Sequence, residues 1–126
     1  MSAKEREVIN LIVSQINGCK YCQSAHTVLG GMNGFSEDQI LEIRGGSAGF
    51  DAKLDALAKF VHSTASNKGN ASQTTKDAFF AAGYSEPNMI DVVIVIGDKV
   101  ISNYINNLTG FAIDFPIAKD LQTVTS

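Results

Sequence analysis

The sequence predicts an all-α fold: one domain over residues 1–126, built as a bundle of about six helices. Three observations predict it. Apolar residues recur at helical spacing through most of the chain. Glycines and Ser or Asp caps punctuate those stretches with helix stop and start signals. The only segment that reads as a strand, Val92 to Ile96, has no second strand to receive its backbone hydrogen bonds.

From Lys4 to Asn17, Val8, Leu11, Ile12 and Ile16 form a helical stripe that Ile9 and Val13 widen. Gly18 stands where a helix C-terminal glycine belongs. Cys19 to Met32 is a second helix with Ala25, Val28, Leu29 and Met32 as its apolar side, ended by Asn33-Gly34. Ser36 and Gln39 have the capping-box form and open a short helix to about Ile43. Arg44 to Gly49 is a loop by composition. Asp51 caps the next helix, whose core is Leu54, Leu57, Ala58 and Val61, with Phe60 beside them. After a turn at Asn67 to Ala71, Ser72 to Ala82 is a short helix carrying Phe79 and Phe80.

Ser85-Glu86-Pro87 is a cap with proline near the first helical position. The apolar pattern continues past Ile96 to Leu108, which favours helix over strand. A helix apolar on nearly every side is buried on nearly every side. The Val92 to Leu108 stretch is therefore expected at the centre of the bundle, at a subunit interface, or both. The tail from Phe111 to Ser126 has irregular apolar spacing and reads as an extended arm on a neighbour.

Bulk properties exclude several classes. A chain of this length buries roughly two-thirds of its unfolded surface, too little for a large enclosed chamber. The net charge is -3 and the basic residues are scattered, so no cluster exists to neutralise nucleic-acid phosphates. The longest apolar run is far short of a membrane span. The charged N-terminus lacks the apolar core of a signal peptide. A soluble cytoplasmic protein, with no membrane and no nucleic-acid partner, is the expectation.

The chemistry concentrates in Cys19-Lys20-Tyr21-Cys22-Gln23-Ser24-Ala25-His26, which holds the chain's only two cysteines. In the cytoplasm a close pair is more often catalytic or metal-binding than structural. Residues three and four apart share a helix face, so Cys19, Cys22 and His26 line up. Thiols at a helix start ionise more readily, because free N–H groups and the dipole favour an anion. His26 can accept the proton of Cys22, and Cys19 can attack an oxidised Cys22 to close a disulfide. Zinc would need a fourth ligand, and His62 is distant. Covalent haem needs His directly after the second Cys, where Gln23 stands. A thioredoxin-like site needs a βαβ context. No metal and no organic cofactor is expected. Glu7 borders the first helix's apolar stripe, so partial burial and a solvated surface position are both open to it. Glu5 and Arg6 read as ordinary surface residues.

Glu7, Cys19 twelve residues on, then Cys22 and His26, resemble the alkylhydroperoxidase D-like group of the carboxymuconolactone decarboxylase superfamily. The Gly30-x-Met32-x-Gly34-Phe35-Ser36 turn is similar too, and the resemblance covers about residues 3–110. It implies an all-helical fold assembled as trimers or hexamers. It implies reduction of a peroxide substrate by the Cys pair, reopened by a separate thiol or dithiol reductant, in antioxidant defence. Carried over, Cys22 is the attacking thiol, Cys19 the resolving one, and His26 with Glu7 the proton relay. One position departs: some family peroxidases have a second His between the cysteines, where this chain has Tyr21, no base near neutral pH. The alternatives are a redox-switched binding or chaperone-like protein, and a lyase acting on a small organic acid.

Overall fold

The computed structural model describes residues 1–121. It contains six helices: α1 (Ala3–Ile16), α2 (Lys20–Met32), α3 (Glu37–Arg44), α4 (Ala52–Ser66), α5 (Gln73–Ala81) and α6 (Glu86–Thr109). No strand occurs among the described residues, and the β-branched run of residues 92–96 lies inside α6. No single described helix is long and apolar enough to cross a membrane.

The helix starts follow from local chemistry. Ser2 with Glu5, Ser36 with Gln39 and Ser85 with Asn88 each form a complete capping box. Asp51 accepts from the N–H groups of Lys53 and Leu54 at the head of α4. Such caps satisfy donors that have no partner inside the helix. Glu5, which reads as a surface residue in sequence, is therefore a cap.

The central helix is α1, not α6. Val8, Ile9, Leu11, Ile12 and Val13 have no exposure, and α1 packs against α2, α3, α4 and α6. Each such side chain contributes about 1.5–3 kcal/mol on burial. The expectation of a central α6 is overturned within the single chain. Among α6 residues only Val92 and Asn103 are buried, while Ile90, Val93, Ile94, Ile101, Tyr104, Ile105 and Leu108 face outward. On α4, the expected core of Leu54, Leu57, Ala58, Phe60 and Val61 is buried. Phe79 of α5 stacks between Phe60 and Tyr84, at 4.4 and 4.6 Å between ring centroids.

The loop from α3 to α4 is tied inward. Glu42 Oε2 accepts from Ser47 Oγ (3.1 Å) and from the Gly49 N–H. Asp55 accepts from the Ala48 N–H at 2.8 Å and pairs with Lys59. Gly46, at φ 101°, lies against the His62 ring, where an added Cβ would meet the ring carbons at 2.8 Å.

After α6 the chain runs back over α2 of its own chain. The Ala118 N–H donates to Ser24 Oγ (2.9 Å), Lys20 pairs with Asp120, and Lys119 pairs with Glu37. The arm expected on a neighbour thus packs, through Leu121, on the same chain. Its last part, residues 122–126, lies outside the described residues.

Candidate functional site

The turn between α1 and α2 delivers the first cysteine. Gly18 has φ 63°, a left-handed conformation that glycine adopts without steric cost. Its N–H donates to the Gln15 carbonyl (3.2 Å) and the Cys19 N–H to the Ser14 carbonyl (3.1 Å). This is the Schellman pairing that closes a helix. Cys19 then serves as the N-cap of α2, and its Sγ accepts from the Cys22 N–H at 3.2 Å. One free amide of the first turn, that of Cys22, therefore points at a sulfur.

Cys19 and Cys22 are joined as a disulfide, with 5.2 Å between their Cα atoms. Both are buried, at 0% and 3% exposure. One turn further along α2, His26 Nδ1 meets Glu7 Oε2 of α1 at 2.7 Å, with His26 7% and Glu7 8% exposed. Glu7 is thus a buried acid. The fold brings all four predicted site residues to the α1–α2 seam. The contacts among them are two, Cys19 with Cys22 and Glu7 with His26.

The buried face of α2 departs from expectation. It carries Cys22, Gln23, Ser24, His26 and Gly30, while Leu29 and Met32 are exposed. A polar face goes inside because each group finds a partner there. Gln23 Nε2 donates to the Ser14 carbonyl (3.3 Å), and Gln23 Oε1 accepts from Arg44 Nη2 (3.3 Å). Arg44 Nε donates to Gln15 Oε1 (3.0 Å). Arg44 reads in sequence as the start of a loop. It ends α3 as one of the largest fully buried side chains, and burial pushes its guanidinium pKa below the usual range.

A cluster of asparagines closes the site from α6. Asn103 Nδ2 donates to Ser14 Oγ (3.2 Å) and Asn103 Oδ1 accepts from Asn17 Nδ2 (3.1 Å). Asn107 Nδ2 donates to the Asn17 carbonyl (2.9 Å). Asn106 Nδ2 reaches Cys22 Sγ at 3.7 Å. Sequence reasoning passed over these residues. The available signal was three asparagines within five positions of a helix, where asparagine is a poor former.

Tyr21 turns away from the sulfurs. Its ring meets Phe115 edge-on at 5.8 Å, and a hydrogen bond with Asp114 pushes its phenol pKa up. It anchors the C-terminal strap. Among the described residues no group of three or more His, Cys, Asp or Glu side chains is placed to hold a metal ion.

The segment that builds this site, residues 1–62, matches the model of the carboxymuconolactone decarboxylase family. Over those residues, just under half of the chain, the sequence has the pattern of that family. No curated protein matches the chain in sequence. Two solved structures share the carboxymuconolactone decarboxylase-like helical fold. One is the debrominase Bmp8 without ligand, at TM-score 0.75 and 17% identity. The other is a Cys-to-Ala variant of Bmp8 in complex with 2,3,4-tribromopyrrole, at TM-score 0.75 and 16% identity. Each match covers 90% of this chain and 62% of the other. The chain therefore spans less than two-thirds of that protein's length.

Proposed function

We propose that this chain is a thiol-dependent peroxidase of the alkylhydroperoxidase D-like type. The observation that carries the reading is the Cys19–Cys22 pair at the head of α2, with the buried Glu7–His26 pair one turn along. In the reduced protein the Cys22 thiolate attacks the outer oxygen of a hydroperoxide. An S–O bond forms, the O–O bond breaks, and the departing alkoxide takes a proton. The Cys19 thiolate then attacks the Cys22 sulfenic acid, the S–S bond forms, and hydroxide leaves as water after protonation. A dithiol reductant reopens the pair by exchange and is itself oxidised to a disulfide. Glu7 holds the His26 ring and supports positive charge on it, so His26 is suited to move the protons of these steps.

The protein acts as a homo-oligomer, a trimer or a hexamer, through the outward apolar face of α6. Apolar patches of this kind on a helix mark interaction sites.

The test is peroxide consumption by the purified protein with a supplied dithiol, and mass spectrometry of Cys19 and Cys22 before and after. Stoichiometric disulfide formation on peroxide addition is expected, and Cys22→Ser should abolish turnover. Full turnover by Cys22→Ser overturns the reading. The same assay with 2,3,4-tribromopyrrole as electron acceptor tests reductive dehalogenation, the second reading, which the fold shared with a debrominase brings in.

A further inference from the structure

The helix start favours the wrong sulfur for the proposed reaction. Cys19 is the N-cap of α2 and already accepts a backbone N–H at 3.2 Å. A helix N-terminus stabilises a thiolate at such a position. Cys22 sits one turn inside, where that help has weakened. Left to α2 alone, negative charge would be favoured on Cys19 over Cys22.

A donor from another helix corrects this. Asn106 of α6 points one amide hydrogen at Cys22 Sγ (3.7 Å) and the other at the Ser102 carbonyl (2.9 Å). The second bond fixes which end of the amide faces the sulfur. Asn103 and Asn107, on either side, pin this stretch of α6 to Ser14 and Asn17. The donor is therefore held in place before the thiolate forms, which is how preorganised dipoles stabilise developing charge. We infer that Asn106 is a catalytic residue, whose side-chain amide holds the Cys22 sulfur as thiolate and so makes Cys22 the attacking member of the pair. The assignment rests on the peroxidase reading for its role in turnover, although the hydrogen bond and its effect on Cys22 do not. Cys19, Lys20, Tyr21 and His26 share the first two turns of α2 with Cys22; Glu7 of α1 pairs with His26, and Lys99 of α6 interacts with Glu7.

The test titrates the thiolate absorbance of Cys22 on a Cys19→Ser background, where Cys22 is the only thiol. Asn106→Leu keeps the size and removes the donor. It should raise the Cys22 midpoint by about one pH unit, which is roughly tenfold less thiolate below the midpoint. Asn106→Asp replaces the donor with a negative acceptor, should raise the midpoint further, and carries the test if the Leu variant fails to fold. Thr109→Ala loses only the hydroxyl that donates to the Ile105 carbonyl (2.7 Å) near the exposed end of α6 and should leave the midpoint where it was. An unmoved midpoint in both Asn106 variants overturns the inference, and so does an equal shift in Thr109→Ala. Peroxide consumption by the two-cysteine protein is read separately. Its absence alongside a shifted midpoint overturns the peroxidase reading and leaves the hydrogen bond's effect established.

Discussion

Glu7 illustrates how one side chain acquires meaning from its neighbour. In sequence it borders an apolar stripe and has two open positions. In the fold it is 8% exposed, with its carboxylate 2.7 Å from the His26 ring. A buried acid needs such a partner. Glu7→Gln keeps the shape and removes the charge that supports an imidazolium. Peroxide turnover is expected to fall about a hundredfold, while the disulfide still forms with a chemical oxidant, as mass spectrometry would show. Asp55 is the clearest acid sensor. Burial alone would raise its pKa, but the hydrogen bonds from Lys59 and from the Ala48 N–H outweigh it and leave the value lowered. A lowered folded-state pKa gives stability that is full above the unfolded value, about 3.9, and is lost as pH falls through the folded value. Asp55→Asn should therefore be less stable than the parent near neutral pH, with the gap narrowing below about pH 4. Urea melts at two pH values check this.

The helices themselves were legible because their signals are local. Stripes, caps and glycine stops placed six helices within a residue or two of where they lie, since each signal acts within one turn. What was illegible is which face of a helix turns inward. The Ala25, Val28, Leu29 and Met32 side of α2 looks like a core face, yet the polar side is the buried one. That choice depends on partners far away in sequence: Ser14 and Gln15 on α1, and Arg44 on α3. Arg44 and Asn106 escaped for the same reason, because the value of a polar group inside a fold lies in the groups that satisfy it. Gly46 shows the reverse case, a position whose demand is purely steric. Gly46→Ala must hold a left-handed φ and push its Cβ against the His62 ring. A loss of about 2 kcal/mol is expected, measured as a lower denaturation midpoint with helical content preserved.

For the molecule as a whole, the misplacement of α6 is informative. Its sequence is apolar all round, and the single chain covers only part of it. The rest, from Ile90 to Leu108, is an outward surface. The same surface runs past Asn106, so the proposed assembly face and the sulfur site share one helix. Ile105→Glu, on that face and 50% exposed, should dissociate the oligomer without unfolding the chain. Sedimentation, together with helical content by circular dichroism, checks both halves of that statement.

The disulfide closes the shortest useful ring, between residues three apart within one turn of α2. A crosslink's hold on the unfolded chain grows with the loop that it closes, and this loop is minimal. The Cα separation of 5.2 Å is an ordinary i to i+3 helical spacing, so the backbone has no cause to move when the bond opens. The architecture is thus nearly indifferent to whether two electrons are on board. Under the proposed chemistry the pair is charged and discharged on a standing frame, and the number of cycles is set by the chemistry of sulfur, not by the endurance of the fold.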